Sequence, residues 1–422
     1  MKYCTYKSSR NNIFILFIFY ISSFFPHKYE HDLAIGGIIN FSDGIGRQAI
    51  TLIDALKDDL AIKFIPTRLS QAPHYSDISP TVASIIQKSK TGKARVAILE
   101  DLITCGPYNP YKKIGNSSIK IAYTMVESTE VCSTWVDILN NHFDAAVVPD
   151  PFLVNVYKNS GVTIPIFMLP LQMYLDEFYK LSQTSRPHYP FVFGFSGSFT
   201  ERKNHMRLLN SFAQAFGSSA DVQLILHGRY GDNNLIHMLE NRTQELGLRN
   251  VKILKQSFSQ REYLQFLASL DCYVSLSMGE GYSLTPREAI AAGIPCILSD
   301  ATAHTTICHS GYACVVPAQI PIPAYYKHLN AYAGFFFDCF ENDAAQALFD
   351  MYMNYYIYRE LTQQARVWIQ QYSLEALRPY YLSLIKPQKI ILGTHNEIMV
   401  NGLITDSPQL YQKYCDVFYN AL

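Results

Sequence analysis

The chain has 422 residues, 49% of them hydrophobic, a length that suits two domains of roughly 150–200 residues better than one core. Lys plus Arg and Asp plus Glu number 35 each, so the net charge is zero, and the basic excess that a nucleic-acid partner demands is excluded. Nine cysteines without a C-x-x-C pair or a Cys/His cluster at metal spacing suit reduced, buried thiols in a cytoplasmic protein.

Lys2, Lys7 and Arg10 open the chain ahead of the apolar run IFILFIFYISSFF at 13–25. The pattern resembles a signal peptide, but no small-residue cleavage site follows it. The run is also short of the about 20 residues that span a membrane. Residues 1–30 therefore read either as a dispensable leader or as a membrane-associated segment, which leaves peripheral membrane association open.

Beyond residue 31, apolar strand-like runs alternate with helix-period segments, and the alternation occurs twice. The first series is DLAIGGIINF (32–41), AIKFIP (61–66), ARVAILE (94–100), IKIAYTM (119–125) and DAAVVP (144–149). The second is FVFGFSG (191–197), DVQLILHG (221–228), NVKIL (250–254), DCYVSLS (271–277) and IPCILSD (294–300). Between them, 46–60 carries Ile50, Ile53 and Leu56 on one helical stripe, and Ser259 with Glu262 forms a capping-box pair. Continuous apolar strands flanked by amphipathic helices predict parallel sheets covered on both faces, hence two doubly wound, Rossmann-like α/β domains facing a central cleft. The expected bounds are 31–185 and 186–375, with a polar linker at 179–190. The stretch 361–385 reads as one long helix kinked at Pro379, and residues 376–422 are expected to pack back on the first domain.

Ligands of open parallel sheets sit beyond the carboxyl ends of the strands, so the strand-to-helix loops matter most. In the first, NFSDGIGRQAI, Gly44 and Gly46 begin a helix, where glycine permits close backbone approach and the free N–H groups favour an anion. GIGRQA also fits the G-x-G-x-x-A dinucleotide fingerprint. Thr67 and Arg68 stand where a NAD site would carry an acid, which keeps an NADP-dependent oxidoreductase open, beside a plain tight turn. In the second domain, FSGSFTERKNHM sets Arg202 and Lys203 at a predicted helix N-terminus, against the macrodipole, a cost that a bound di-anion would offset.

Residues 276–300 read LSMGEGYSLTPREAIAAGIPCILSD. Thr285-Pro286-Arg287-Glu288 looks like a helix start with a T-x-x-E capping box, so Glu288 has a purely structural explanation available. Glu280 has none: it lies in a turn at the end of a strand, where its carboxylate would face the cleft.

GEGYSLTPREAIAAGIP resembles the E-x7-E signature of the family 4 (group 1) retaining glycosyltransferases. The similarity runs from about residue 32 to about 390 through SDGIGRQAI, YTMVEST, WVDILNNHFDAAVVPDPFLVNVYKNSGV, GSFTERKN and SDATAHTT. It implies the two-domain GT-B fold with a C-terminal helix crossing back to the first domain. It also implies that Glu288 takes the ribose hydroxyls of a nucleotide-sugar donor and Glu280 its sugar. A carboxylate can accept from two vicinal hydroxyls at once. Backbone groups of Gly281, Tyr282, Ser283 and Leu284, with Gly44 and Gly46, would face the diphosphate. Lys203 and Arg202 would neutralise the leaving group, so that Lys203, Glu280 and Arg202 form the expected catalytic set. Two departures stand out: Ser283 replaces a common glycine, and Ser198 occupies the place of an arginine.

No D-x-D motif occurs, which fits a metal-independent enzyme with no cofactor besides its donor. The expected function is retaining transfer of a hexose from a nucleotide sugar to a saccharide or lipid-linked acceptor. Family frequency points to cell-surface glycan such as lipopolysaccharide, made in the cytoplasm at the inner face of the membrane. Glu127 and Tyr123 are the candidate acceptor contacts, Glu127 with a solvated loop acid as the alternative, and His304 is expected to orient its loop, with a direct part in the chemistry as the alternative. A nucleotide-sugar epimerase of the same architecture and a non-catalytic donor-binding subunit remain as alternatives.

Overall fold

The computed structural model describes residues 29–418, apart from 41–43, 69–77, 89–90, 106, 116, 182–186, 387–390, 393–397, 401–402 and 406–407. The apolar run at 13–25 and the middle of the linker candidate lie outside the described residues.

The first domain comprises β1 (His31–Gly37), α1 (Gly44–Leu56), β2 (Ile62–Pro66), α2 (Pro80–Gln87), β3 (Ala94–Glu100), β4 (Ile119–Tyr123), α3 (Ser133–His142), β5 (Ala145–Val148), α4 (Pro151–Asn159) and β6 (Ile166–Met168). Local chemistry sets several of these boundaries. Ser79 caps α2 ahead of Pro80, and Asp150 caps α4 ahead of Pro151. The strands pair in parallel in the order β2-β1-β3-β4-β5-β6. The winding reverses between β1 and β3, where Gly37 lies opposite Glu100 at the carboxyl ends.

After α5 (Asp176–Tyr179), the second domain runs β7 (Phe191–Ser196), α6 (His205–Phe216), β8 (Val222–Gly228), α7 (Asn233–Glu245), β9 (Val251–Lys255), α8 (Gln260–Ala268), β10 (Cys272–Ser275), α9 (Leu284–Ala291), β11 (Cys296–Asp300), α10 (His304–Cys308), β12 (Cys314–Tyr326), β13 (Ala331–Cys339), α11 (Glu341–Met353) and α12 (Tyr355–Trp368). The capping box of Ser259 and Glu262 is present in full at α8. The sheet order is β13-β12-β11-β10-β7-β8-β9, parallel except for the β12/β13 pair. Here the reversal falls between β7 and β10, the two strands whose following loops carry Lys203 and Glu280. The fold is thus two doubly wound domains with loops meeting across a cleft.

The β12–β13 hairpin is absent from the sequence expectation because Pro317, Pro321 and Pro323 break up the strand signal. The structure accommodates them: pairing of β12 with β11 ends at Pro317, and the two later prolines face only β13. The hairpin then reaches both domains. The Tyr326 hydroxyl accepts the Glu127 N–H at 3.1 Å, while Phe337 N–H donates to the Met278 carbonyl at 2.8 Å.

The long C-terminal helix is broken, but not at Pro379. A 3-10 turn at Ile369–Tyr372 ends α12, and the Ser373 hydroxyl accepts the Ala376 N–H at 3.2 Å to start α13 (Leu374–Ile385), with Pro379 inside it. Helix α13 crosses back to the first domain. Arg378 donates to the Ala55 carbonyl and pairs with Asp59, and the Tyr381 hydroxyl donates to the Pro170 carbonyl at 2.8 Å. Farther on, α14 (Pro408–Phe418) rests on the same domain through the ion pair Lys413–Asp144 at 2.7 Å.

Glu100, 1% exposed at the end of β3, is a buried acid that burial pushes up to about 8, with Gln48 partly opposing the shift. Between its ordinary 4.5 and about 8 the native chain holds a proton that the unfolded chain has released. Stability must therefore fall as pH rises through that window. Glu100→Gln is expected to flatten the decline of Tm between pH 5 and 8, which thermal unfolding across that range measures.

Candidate active site

Arg202 and Lys203 follow β7 on the 3-10 turn Glu201–Lys203, and Asn204, left-handed at φ 59°, turns the chain before α6 begins at His205. The expectation that both cations oppose a helix dipole is thereby corrected. Their charges are met by carboxylates instead. Lys203 Nζ lies 2.5 Å from Glu280 Oε1, and Arg202 contacts the same oxygen at 3.5 Å. Arg202 also reaches Glu127 of the first domain at 3.2 Å and donates to the Gly279 carbonyl. Burial works against charge on Glu280, but the two cations outweigh it and hold the carboxyl down to about 2. It is ionised throughout any working pH range. Its own N–H donates to Thr302 Oγ1 at 2.7 Å, which fixes the turn.

Helix α9 starts at Leu284, one residue before Thr285, so the T-x-x-E box does not form. Thr285 Oγ1 is instead hydrogen-bonded to the Tyr273 hydroxyl at 2.8 Å. This frees Glu288 from any capping duty. Only 3% exposed, Glu288 receives Arg47 Nη1 at 2.5 Å from α1 and the Tyr263 hydroxyl at 2.7 Å from α8. Each oxygen keeps a further lone pair for a ligand hydroxyl.

The N-cap position before α9 belongs to Ser283, left-handed at φ 65° and ψ 73°. Such a conformation costs a non-glycine residue roughly 1–2 kcal/mol. It explains why glycine is common there in the family that the sequence resembles.

Of the remaining candidates, Gly44 lies at the cleft: a Cβ there would sit 3.3 Å from Leu284 Cδ1 across the domains. Gly281 is similarly close to Met125, where a Cβ would come within 2.8 Å of Cγ. Gly46 is corrected to a packing role, since a Cβ would lie 2.5 Å from the Asn40 nitrogen. The side chain of Tyr282 is buried beneath the site, its hydroxyl donating to the Leu171 carbonyl at 3.2 Å, so only its backbone can serve a donor. Tyr123 is corrected too. It is 2% exposed and donates to the Leu169 carbonyl at 2.6 Å, which leaves it no acceptor to touch. Arg68 binds Asp101 through Nε at 2.9 Å and through Nη2, so its guanidinium already serves a carboxylate in place of a 2′-phosphate.

Sequence reasoning missed Arg47 and Tyr263. Arg47 directly follows the quoted glycines and could have been found there, whereas Tyr263 carries no local signal. A cavity of about 700 Å³ between the domains is lined by Gly44, Arg47, Gln172, Phe178, Leu284 and Glu288, among others. Among the described residues, no group of three or more His, Cys, Asp or Glu side chains is placed to hold a metal ion, and no helix is long and apolar enough to cross a membrane.

Known structures share the fold, and two illustrate it. HepE of Anabaena, solved with UDP and glucose, covers 82% of this chain and 96% of its own at 12% identity and a TM-score of 0.58. Sucrose-phosphate synthase of Thermosynechococcus elongatus covers the same shares at 15% identity and a TM-score of 0.58. The architecture is that of the GT-B glycosyltransferases. Residues 180–320, most of the second domain, match the family model for glycosyl transferases group 1. An uncharacterized glycosyltransferase of Methanocaldococcus jannaschii is 27% identical over 163 residues, which are 39% of this chain and 37% of that protein. The chain thus spans little more than a third of the curated relative it matches.

Proposed function

We propose that this protein is a retaining, metal-independent hexosyltransferase acting from a nucleotide-diphosphate sugar to a saccharide or lipid-linked acceptor. The observation that carries the reading is the pair of carboxylates around α9. Glu280 is ionised against Lys203 and Arg202, and Glu288 is released from capping and presented at the interdomain cavity. Glu288 takes the ribose hydroxyls, and Glu280 accepts from the hexose. Lys203, with the backbone at Gly281–Leu284, meets the charge that grows on the departing diphosphate. In the transfer, the bond from anomeric carbon to phosphate oxygen breaks while the acceptor oxygen bonds the same face. The acceptor proton passes to the departing phosphate oxygen. No residue of the chain need act as nucleophile.

Arg202, tied to Glu127 across the domains, sets the acceptor wall, and Glu127 takes an acceptor hydroxyl. A lipid-linked acceptor in cell-surface glycan synthesis would bring the protein to the cytoplasmic face of a membrane. HepE, which shares the fold, is known in complex with UDP-glucose, and that makes UDP-glucose the first donor to try. Thermal shift with UDP-, GDP- and ADP-sugars identifies the donor. Product analysis with and without a saccharide acceptor, in the presence and absence of EDTA, then tests transfer. Acceptor-dependent product with the anomeric configuration kept and rates unchanged by EDTA is expected. Conversion of the donor alone to an epimer, or loss of activity on chelation, would overturn the proposal.

A further inference from the structure

We infer that His304 is a positioning residue: it holds Ser283 in its left-handed turn with the hydroxyl drawn away from the start of α9, so that the first N–H groups of that helix stay open to the donor diphosphate. The inference rests on the donor-binding reading given above.

A serine before a helix ordinarily caps it, its oxygen accepting from the second or third N–H. Ser283 makes no such bond, although it stands at the N-cap position. Its hydroxyl lies 2.8 Å from His304 Nε2 instead. The direction of that bond follows from the other face of the ring. His304 Nδ1 is 3.2 Å from the Ser299 carbonyl, which can only accept. It is also 3.2 Å from Ser299 Oγ, whose hydrogen goes to the Ser277 carbonyl at 2.6 Å. Both partners therefore require the proton on Nδ1. Nε2 then carries the lone pair, and Ser283 donates to it.

The imidazole is fully buried, and burial pushes its pKa down to about 4, with the charge of Lys203 adding to the effect and Glu280 opposing it. It stays neutral, as an acceptor must. From the opposite side Arg287 Nη1 donates to the Ser283 carbonyl at 3.1 Å. Ser283 is thus gripped at both its carbonyl and its side chain, and its strained backbone is overdetermined by its surroundings. With the hydroxyl engaged, Leu284 and Thr285 enter the helix uncapped.

Titration calorimetry of the full chain with UDP, GDP and ADP tests this, using the diphosphate that wild type binds tightest. His304→Ala is expected to weaken binding about tenfold, the scale of one lost neutral hydrogen bond and the turn it holds. Ser283→Gly in the His304→Ala background is expected to recover most of that loss, because glycine adopts the left-handed turn unaided and has no hydroxyl to cap the helix. The two positions then fail to add, as partners in one contact should. Ser283→Ala leaves the buried ring in place and keeps the test independent of any folding defect in His304→Ala. It is expected to bind more weakly than Ser283→Gly. A double variant as weak as a folded His304→Ala, or equal binding by Ser283→Ala and Ser283→Gly, overturns the inference alone. Wild type that binds none of the three diphosphates overturns the donor-binding reading and this inference together.

Discussion

Lys203→Ala and Glu288→Ala should each lower transfer at least about 100-fold, a loss of roughly 2.7 kcal/mol of transition-state stabilisation. The two losses should differ in kind. In the proposed reading Lys203 would oppose a charge that is largest when the diphosphate leaves, so its removal should appear chiefly in kcat. It also leaves Glu280, 7% exposed, with Arg202 at 3.5 Å as its remaining cation, and the carboxylate is then less well held against the sugar. In the same reading Glu288 would grip the ribose alike before and during transfer, so its removal should appear chiefly as a raised donor KM. Glu288→Gln retains an acceptor oxygen and should lose less than Glu288→Ala. Steady-state kinetics on the identified donor, with thermal unfolding to confirm folded variants, reads all three. Near-normal rates for Lys203→Ala and Glu288→Ala would remove both side chains from the site.

The difference between what the sequence revealed and what it hid has a physical basis. Strands buried on both faces leave uninterrupted apolar runs, and ARVAILE at 94–100 coincides with β3 end to end. Loop residues with an unusual charge or a glycine also announce themselves, as Glu280, Lys203 and Gly44 do. The residues that stayed hidden act through distant partners. Tyr263 meets Glu288 from the adjacent helix, and Arg47 meets it from the other domain. Tyr123 misled for the converse reason. A tyrosine at the carboxyl end of a strand can point to the cleft or into the layers, and its bond to the Leu169 carbonyl draws it inward. Helix starts are equally treacherous when several residues can cap. Thr285 and Ser283 compete for the role at α9, and neither side chain takes it.

Asp150→Ala should destabilise the protein by about 3–5 kcal/mol, the usual cost of leaving one buried charge without its partner. Arg287 and Asp150 are both fully buried, and their guanidinium and carboxylate meet at 3.4 Å across the two domains. Asp150 also accepts from Thr306 Oγ1 at 2.8 Å and caps α4 through the Phe152 N–H. Burial nonetheless pushes its pKa up despite Arg287 and Thr306, so desolvation outweighs what the partners return. Arg287 is sandwiched by the Tyr282 ring at 3.9 Å and the Tyr372 ring at 5.1 Å, and once Asp150 is gone those rings and two carbonyls are what it has left. The ionic pair is therefore worse broken than absent. Asp150→Asn should lose less than Asp150→Ala, since it keeps the cap. The double change Asp150→Ala with Arg287→Met should regain a large part of the single loss. Urea unfolding of the three variants measures the order. Because Arg287 immediately precedes Glu288 and holds the Ser283 carbonyl, Asp150→Ala should also raise the donor KM. A single variant as stable as wild type would show that this pair does not bind the two domains together.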